Sequence, residues 1–416
     1  MIRKSKISVR SFFDILFATV GDSSPTLTDY CVSFQNDNRQ TISKQAIDQR
    51  FDEPLKDLLE DVAKEILSKQ VKRRAKIKGV GKFFPEIRIM DSTEFKLSKN
   101  VAESFPGYGG IGREAMAQVQ YEFELLSGKV TQMTIGSALD ADAVEGMKNI
   151  NKIPKGSLLI RDLAYFGPKS FKELIENKLY FINRAKSQWN FYLKVNGEFV
   201  LLTTAEIIEK LKGQKNKYID LDVFVGEKAK TPVRLIANLL TDEQAQKRLK
   251  KKESNRKLGK DALEAIGLNL FVTNVEREKC NALTIYELYR LRWQVELVFK
   301  TWKSNLNLHK IHTMNAIRLE CILWLKLIWA LLNWSILMFM QNFSNVELSF
   351  CKITRAISRT INIMILKDYN LLKNYLEEMI KTNLKFFRKE HKKGSKNDDF
   401  FNLTFCKSNN YEYIYV

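Results

Sequence analysis

Apolar residues recur at helical spacing near the N-terminus, first over residues 11–20 and again over residues 45–69. Positions three and four apart fall on one face of a helix, so each segment predicts an amphipathic helix. Residues 1–78 are therefore predicted to form a helical head, which ends in the cation-rich run QVKRRAKIK. Such a head suits DNA binding, although a charge run of this kind is more often a solvated helix face.

From residue 83 the pattern changes to short apolar and β-favouring runs. One predicted strand ends at Asp91, and the run SLLIRD predicts a second strand that ends at Asp162. Further strands are predicted over residues 117–126 and 129–138, followed by a helix over residues 142–149. This order predicts that residues 79–166 form the first part of a mixed α/β core.

Short strand patterns separated by polar turns continue through residues 167–267, which predicts a β-rich insertion. Within it, residues 247–260 carry eight Lys or Arg residues in fourteen and are predicted to form a basic helix or arm. The run LNLFVTNV then resumes a buried strand and opens the second part of the core, residues 268–345. Residues 346–416 are predicted to be a helical region with a basic tail.

The apolar segment over residues 321–340 has about the length that spans a bilayer. Lys326 and Asn333 interrupt it, and the sequence contains no second segment of this kind. These features favour a buried helix of a large core over a membrane span.

Composition and charge narrow the class of partner. The 416 residues can bury a substantial core, and a formal net charge of +20 favours a polyanion such as DNA, RNA or an anionic membrane surface. The five cysteines are scattered without CxxC spacing, which indicates a reduced intracellular compartment. His309 and His312 form only an HxxH, so a zinc site is not predicted.

The segment YRLRWQVELVFKTWK carries the most informative chemistry. Tyr289, Arg292, Glu296 and Lys303 follow one another at offsets of three, four and seven residues. A helix turns about 100° per residue, so the four side chains are predicted to share one face, with Lys300 close to Tyr289. The opposite face collects an apolar stripe, formed by Leu291, Val295, Val298 and Trp302.

A carboxylate flanked by cations and a phenol favours phosphate chemistry. Glu296 supplies an oxygen ligand for a hard divalent cation, and its neighbours are donors suited to phosphate oxygens. The alternative is a solvated helix face with an Arg292–Glu296 pair, a contact that contributes a few tenths of a kcal/mol.

Asp91 and Asp162 favour phosphate chemistry over a solvated helix face. The ends of strands in α/β sheets commonly hold ligands and metals, although each aspartate alone is also an ordinary turn residue. Together with Glu296 they form a predicted triad of carboxylates. Two Mg²⁺ ions, or Mn²⁺ in their place, prefer such oxygen ligands and can stabilise both the attacking and the leaving oxygen of a phosphodiester.

The spacing of Tyr289, Arg292, Glu296 and Lys303 matches the YREK signature of DDE transposases of the insertion-sequence-four family. The surrounding RWQVELVFKTWKS is similar to the bacillus-type branch of that family. Asp91 in DST and Asp162 in LIRDLAYF resemble the first and second acidic residues, and the likeness extends over residues 85–320.

The resemblance implies an RNase H-like mixed-sheet core with a β-rich insertion and helical N- and C-terminal regions. It implies Mg²⁺-dependent strand cleavage and strand transfer, with Asp91, Asp162 and Glu296 as catalytic metal ligands. It also implies that Tyr289, Arg292 and Lys303, assisted by Lys300, contact DNA. The implied partners are the terminal inverted repeats and target DNA, with a homodimer in the synaptic complex of a bacterial, cytoplasmic, nucleoid-associated enzyme.

Three alternatives or departures stay open in the sequence. Some relatives stack a flipped base on a tryptophan, whereas the corresponding position here is Asn269, so a hairpin intermediate is less firmly implied. Another two-metal nuclease would use the same triad without integration. A non-catalytic basic DNA-binding protein would explain the charge but would not need the three carboxylates to lie close together.

Overall fold

The computed structural model describes most of the chain. The described residues are 7–72, 79–108, 114–186, 189–212, 218–253, 263, 265–312, 315–344, 347–357 and 368–389. Most of the predicted basic tail, and parts of the cation-rich runs at 70–78 and 247–260, lie outside these residues.

The N-terminal part is helical, as predicted. Its helices are α1 Val9–Ala18, α2 Leu27–Asn38, α3 Lys44–Asp48 and α4 Glu53–Ser68. The single helix predicted over residues 45–69 is two helices, because Asp52 caps α4 through the backbone N–H of Leu55 and a proline follows in the first turn. The sequence did not predict α2, which starts with a capping box between Thr26 and Asp29 and buries only Tyr30 and Phe34.

Ten strands form one mixed sheet in the described part of the chain. They are β1 Ile87–Lys96, β2 Met116–Glu124, β3 Val130–Ser137, β4 Leu158–Arg161, β5 Tyr180–Arg184, β6 Phe191–Val195, β7 Glu198–Leu202, β8 Tyr218–Val225, β9 Thr231–Leu239 and β10 Leu268–Thr273. Their order is β3-β2-β1-β4-β5-β10-β9-β8-β6-β7.

The first five strands have the order and directions of an RNase H-like core. β1 pairs antiparallel with β2 and parallel with β4, and β4 pairs parallel with β5.

The remaining helices are α5 Asp142–Met147, α6 Pro168–Glu176, α7 Thr204–Lys212, α8 Asp242–Glu253, α9 Ala282–Arg290, α10 Trp293–Asn305, α11 Ala316–Gln341, α12 Phe350–Ile357 and α13 Tyr369–Asn383. The predicted α/β class is confirmed.

The strands predicted in residues 167–267 extend the core sheet instead of forming a sheet of their own. β10 pairs with β5 on one side and with β9 on the other, so the chain inserts β6 to β9 beyond β10. This region also contains α6, α7 and α8. The boundaries at residues 167 and 267 stay a prediction.

The prediction that the first strand ends at Asp91 is wrong. β1 continues to Lys96, and its pairing with β2 runs from Arg88 opposite Glu124 to Lys96 opposite Met116. Asp91 is therefore inside a strand, at the level where the parallel neighbour β4 ends.

The long apolar segment is a buried helix, as predicted. α11 is long and apolar enough to cross a membrane, but 83% of its most apolar window is buried inside the protein. Lys326 and Asn333 are themselves buried, and α11 packs against α4 and α12. Trp334 also donates a hydrogen bond of 2.6 Å from Nε1 to the carbonyl oxygen of Gly128, next to the sheet. The helix serves the core of the fold.

Candidate active site

Two neighbouring parallel strands bring Asp91 and Asp162 together. β1 and β4 pair up to the residues immediately before these aspartates. Ile89 and Ile160, two positions earlier, belong to one buried core. Because side chains alternate along a strand, both aspartates lie on that same face of the sheet. Asp91 and Asp162, 71 positions apart in sequence, are thus neighbours at one edge of the core.

The third carboxylate is carried by α10 on the same face of the sheet. The sequence predicted one continuous helix from Tyr289 to Lys303, whereas α9 ends at Arg290 and α10 begins at Trp293. Arg292 keeps helical backbone angles, φ −50° and ψ −33°, so the side chains on both helices still face the aspartates. The predicted apolar stripe is buried, as observed for Leu291, Val295, Val298 and Trp302.

Arg292 links two of the carboxylates. Its Nη1 donates to Oδ2 of Asp91 at 2.7 Å, and its Nη2 donates to Oε1 of Glu296 at 2.6 Å. The side chains of Arg292 and Asp91 are each 17% exposed, whereas that of Glu296 is 49% exposed. The guanidinium therefore contacts one largely buried and one half-exposed carboxylate beside the cleft.

Tyr289 holds the remaining aspartate. Its hydroxyl donates to Oδ1 of Asp162 at 2.9 Å, and its ring packs against Phe271 with 4.9 Å between ring centroids. Burial, with the negative charge of Asp162, raises the pKa of the Tyr289 phenol well above its usual range. The phenol consequently stays protonated and acts as a hydrogen-bond donor.

Burial also changes the pKa of Asp91. It raises the pKa of this carboxyl to about 6, although Arg292 and the backbone N–H of Ser92 favour the charged form, and the charges of Asp162 and Glu296 raise it further. Burial thus disfavours the negative charge of Asp91, and a bound divalent cation would offset that penalty.

A cleft opens beside these carboxylates. Its volume is about 480 Å³, and its walls are formed by Asp91, Ser92, Thr93, Glu296, Phe299, Lys300, Lys303, Ser304 and His309. Lys303 donates to the carbonyl oxygen of Glu94 at 3.2 Å, and burial lowers the pKa of its ammonium group. Both predicted lysines therefore line the cleft.

Sequence reasoning did not select Ser92, Thr93 or His309 for this cleft. The alternation of side chains along β1 could have indicated Thr93, two positions after Asp91. His309 lies in the turn after α10, whose position depends on packing of the following chain.

The carboxylate oxygens are suitable ligands for a hard divalent cation, but in this structure they accept hydrogen bonds from protein side chains. Carboxylate oxygens are the ligands that such cations prefer. Within the described ranges, no group of three acidic, histidine or cysteine side chains is placed to hold a metal ion. Arg292 binds Asp91 and Glu296, and Tyr289 binds Asp162. In this structure the carboxylate oxygens accept hydrogen bonds from Tyr289 and Arg292, and metal binding by the triad stays a prediction.

Asn269, at the position where some relatives stack a flipped base, binds an arginine in this structure. Asn269 is 8% exposed, and its Oδ1 accepts a hydrogen bond of 2.6 Å from Arg248. Two aromatic residues elsewhere in the chain differ in exposure: Phe271 is buried in the core, whereas Trp293, next to Arg292, is 47% exposed.

Comparison with known proteins gives a consistent result. A family model described as "Transposase DDE domain" matches residues 82–332. The chain is 30% identical over 326 residues to the transposase for insertion sequence element IS231F of Bacillus thuringiensis subsp. israelensis, an alignment that covers 74% of this chain and 68% of that protein. It is 26% identical over 422 residues to the transposase for insertion sequence element IS1151 of Clostridium perfringens, with 95% and 88% of the two chains covered.

Among solved structures, a piggyBac transposase synaptic complex with hairpin DNA matches with a TM-score of 0.43 and 11% identity, covering 94% of this chain and 78% of that one. The family match covers more than half of the chain and includes both strands and the helix that carry the site. This chain therefore belongs to the DDE transposase family, and it is an enzyme that acts on DNA.

Proposed function

We propose that this transposase cleaves DNA strands at the terminal inverted repeats of an insertion sequence and transfers them to target DNA. Asp91, Asp162 and Glu296 would hold two Mg²⁺ ions, which Mn²⁺ can replace. The observation that carries this assignment is the contact of one guanidinium with Asp91 and Glu296, beside Asp162 on the adjacent strand. Asp91 and Glu296 line the cleft, and Asp162 follows the strand that pairs with the strand of Asp91.

Bound divalent ions supply Lewis acidity, which stabilises charge on phosphodiester oxygens and activates water or a 3′-hydroxyl. The protein's own contribution is to hold the three carboxylates on rigid elements. Asp91 is fixed inside β1, and Glu296 is fixed by the buried face of α10. We propose that Arg292 releases at least one carboxylate and turns to a phosphate oxygen when DNA enters.

The cationic side of the cleft would position the DNA. Lys300 and Lys303 line the same cavity as Asp91 and Glu296, so phosphates that follow the scissile bond can contact both lysines. Tyr289 donates a neutral hydrogen bond and Arg292 a charged, two-pronged one, which suits the recognition of phosphate oxygens.

The surrounding properties fit the same function. A net charge of +20 favours binding to a polyanion. We propose that the chain acts in the cytoplasm in association with the nucleoid and pairs with a second copy when two DNA ends are brought together. A hairpin intermediate is the less supported part, because the buried Asn269 stands where some relatives have a stacking tryptophan.

The direct test compares cleavage with binding. Asp91→Asn, Asp162→Asn and Glu296→Gln are each expected to abolish nicking of a duplex that carries the inverted repeat found beside the gene. DNA affinity should be largely retained, because contacts to phosphates supply most of it. Glu209→Gln, an exposed carboxylate on α7, is the matched control and should cleave normally.

Product analysis separates the proposal from the alternatives. Joining of the released 3′ end to a second DNA molecule indicates transposition, whereas cleavage without joining indicates another two-metal nuclease. Nicking by Glu296→Gln at the wild-type rate would remove Glu296 from the catalytic set.

A further inference from the structure

The row of side chains that contains the two aspartates continues onto the next strand. β4 and β5 pair in parallel, and their register places Arg184 beside Asp162. Ile182, two positions earlier, packs in the same core as Ile160, so Arg184 lies on the same face of the sheet as Asp162. The carboxyl ends of β1, β4 and β5 therefore present Asp91, Asp162 and Arg184 in that spatial order.

The Arg184 side chain forms no hydrogen bond or ion pair in the part of the chain that the structure describes. It is opposite Phe271 of β10, whose ring packs against Tyr289, so the guanidinium lies near the phenol that binds Asp162. No hydrogen bond or ion pair with another described residue engages its side chain. A half-buried arginine without a partner on a functional edge requires an explanation.

A second arginine, Arg248, lies close enough to Arg184 for their charges to interact. Arg248 of α8 donates to the carbonyl oxygens of Ile266 and Leu268 at 3.2 and 2.7 Å, and to Oδ1 of Asn269 at 2.6 Å. Asn269 and Phe271 are two residues apart on β10 and share a face, which brings Arg248 toward Arg184. All these acceptors are neutral, so they fix the guanidinium without cancelling its charge.

The two arginines repel each other. Burial, and then the charge of Arg184, lower the pKa of Arg248 to about 10, so Arg248 remains a cation at neutral pH. Among the described residues, no carboxylate forms an ion pair with either one. Two like charges held together in a partly buried place are destabilising, and an anion bound between them relieves the repulsion.

We propose that Arg184 and Arg248 form a binding site for a backbone phosphate of the DNA. This inference rests on the proposed function and adds a second set of contacts to it. Lys300 and Lys303 lie on the Asp91 and Glu296 side of the site, whereas the arginine pair lies beyond Asp162. The strand that crosses the carboxylates is thus held on both sides of the reacting phosphate.

The first experiment measures DNA affinity as a function of salt concentration with a short fluorescein-labelled duplex that carries the inverted repeat. The Arg184 side chain makes no hydrogen bond to another described residue, so Arg184→Ala should leave the fold intact and weaken binding about tenfold, or about 1.4 kcal/mol. The slope of log affinity against log salt should become shallower by about one. Arg184→Lys should retain the slope.

Lys247→Ala is the matched control. Lys247 precedes Arg248 on α8, is 74% exposed and pairs with Glu243. Lys247→Ala removes one positive charge, as Arg184→Ala does, from the residue next to Arg248, and it leaves both arginines in place. We expect its affinity and salt slope to remain close to those of the wild type. Equal affinity and slope for Arg184→Ala and wild type would overturn the proposal.

A second experiment locates the phosphate. Single phosphates of the duplex are replaced one at a time by neutral methylphosphonates. At one position the replacement should weaken binding by the wild type about tenfold and leave binding by Arg184→Ala unchanged, as expected for two partners of one contact. Identical profiles for the two proteins would contradict the assignment.

These binding measurements do not depend on catalysis. If the wild type binds as described but does not cleave, the phosphate site stands and the proposed reaction fails. If the wild type cleaves and joins DNA while Arg184→Ala binds normally, the reaction stands and the phosphate site fails.

Discussion

Arg292 contacts Asp91 through a hydrogen bond of 2.7 Å, although 201 residues separate them in sequence. The same guanidinium reaches Glu296 one helical turn away. It therefore pairs with two of the carboxylates that we assign to metal binding. Arg292 and a divalent cation compete for the same oxygens, and this competition makes several properties of the site measurable.

Replacing Arg292 should separate metal binding from DNA binding. Arg292→Ala leaves Asp91 and Glu296 without their cation, so the affinity of the free protein for Mn²⁺, measured by calorimetry, should rise by about tenfold. DNA binding should weaken and become less sensitive to salt, because a phosphate contact is lost. Mn²⁺ affinity equal to or below that of the wild type would argue against competition at these oxygens.

Removing one hydroxyl tests the role of Tyr289. Tyr289→Phe deletes the donor to Asp162 while keeping the ring that packs on Phe271. The free energy of unfolding should fall by only about 1 kcal/mol, whereas the cleavage rate should fall at least about tenfold if the hydroxyl orients Asp162 or contacts phosphate. Urea unfolding measures the free energy of unfolding, and single-turnover cleavage measures the rate. A normal cleavage rate would leave Tyr289 with a structural role only.

The buried amine of Lys326 should make stability depend on pH. Its Nζ donates to the carbonyl oxygens of Val20, Asp22 and Leu306 at 2.7 to 2.8 Å, which joins the helical head to the turn after α10. Burial lowers its pKa from 10.5 to about 8. Between these values the unfolded chain binds more protons than the folded one, so this group makes the protein more stable as the pH rises.

The variant Lys326→Met isolates this effect. The wild type should gain up to about 3 kcal/mol between pH 8 and pH 10.5 relative to the variant, because the penalty of the buried charge is relieved. At neutral pH the variant leaves three carbonyl groups without their donor, which opposes the benefit of removing the charge. Urea unfolding at several pH values measures the difference, and parallel stability curves would contradict the assignment.

Much of the site follows from local sequence. The offsets among Tyr289, Arg292 and Glu296 are dictated by helical geometry, and their common face survives the break between α9 and α10 because Arg292 keeps helical angles. The burial of α11 also follows from its composition, since Lys326 and Asn333 suit a helix inside a large core better than one in lipid.

Other features depend on contacts between distant segments. β1 continues past Asp91 through the polar run STEFK, because β2 supplies hydrogen-bond partners along its whole length. Nothing in that run alone predicts the extension. Likewise, Arg184 lies beside Asp162 only because β4 and β5 pair in this register.

The engagement of the carboxylates by neighbouring side chains also required the structure. A sequence predicts which residues share a helix face, but it does not predict that the Arg292 guanidinium reaches across to β1. In the folded protein, Tyr289 and Arg292 donate hydrogen bonds to all three of the predicted acidic residues.

We expect Asp91, Asp162 and Glu296 together to bind divalent cations when DNA is present. Electron paramagnetic resonance of Mn²⁺, titrated into the complex with the inverted-repeat duplex, measures that binding directly. The wild type should take up about two ions per chain in the cleft, and Asp91→Asn, Asp162→Asn and Glu296→Gln should each lose at least one of them. Unchanged Mn²⁺ binding in all three variants would show that these carboxylates do not hold the ions.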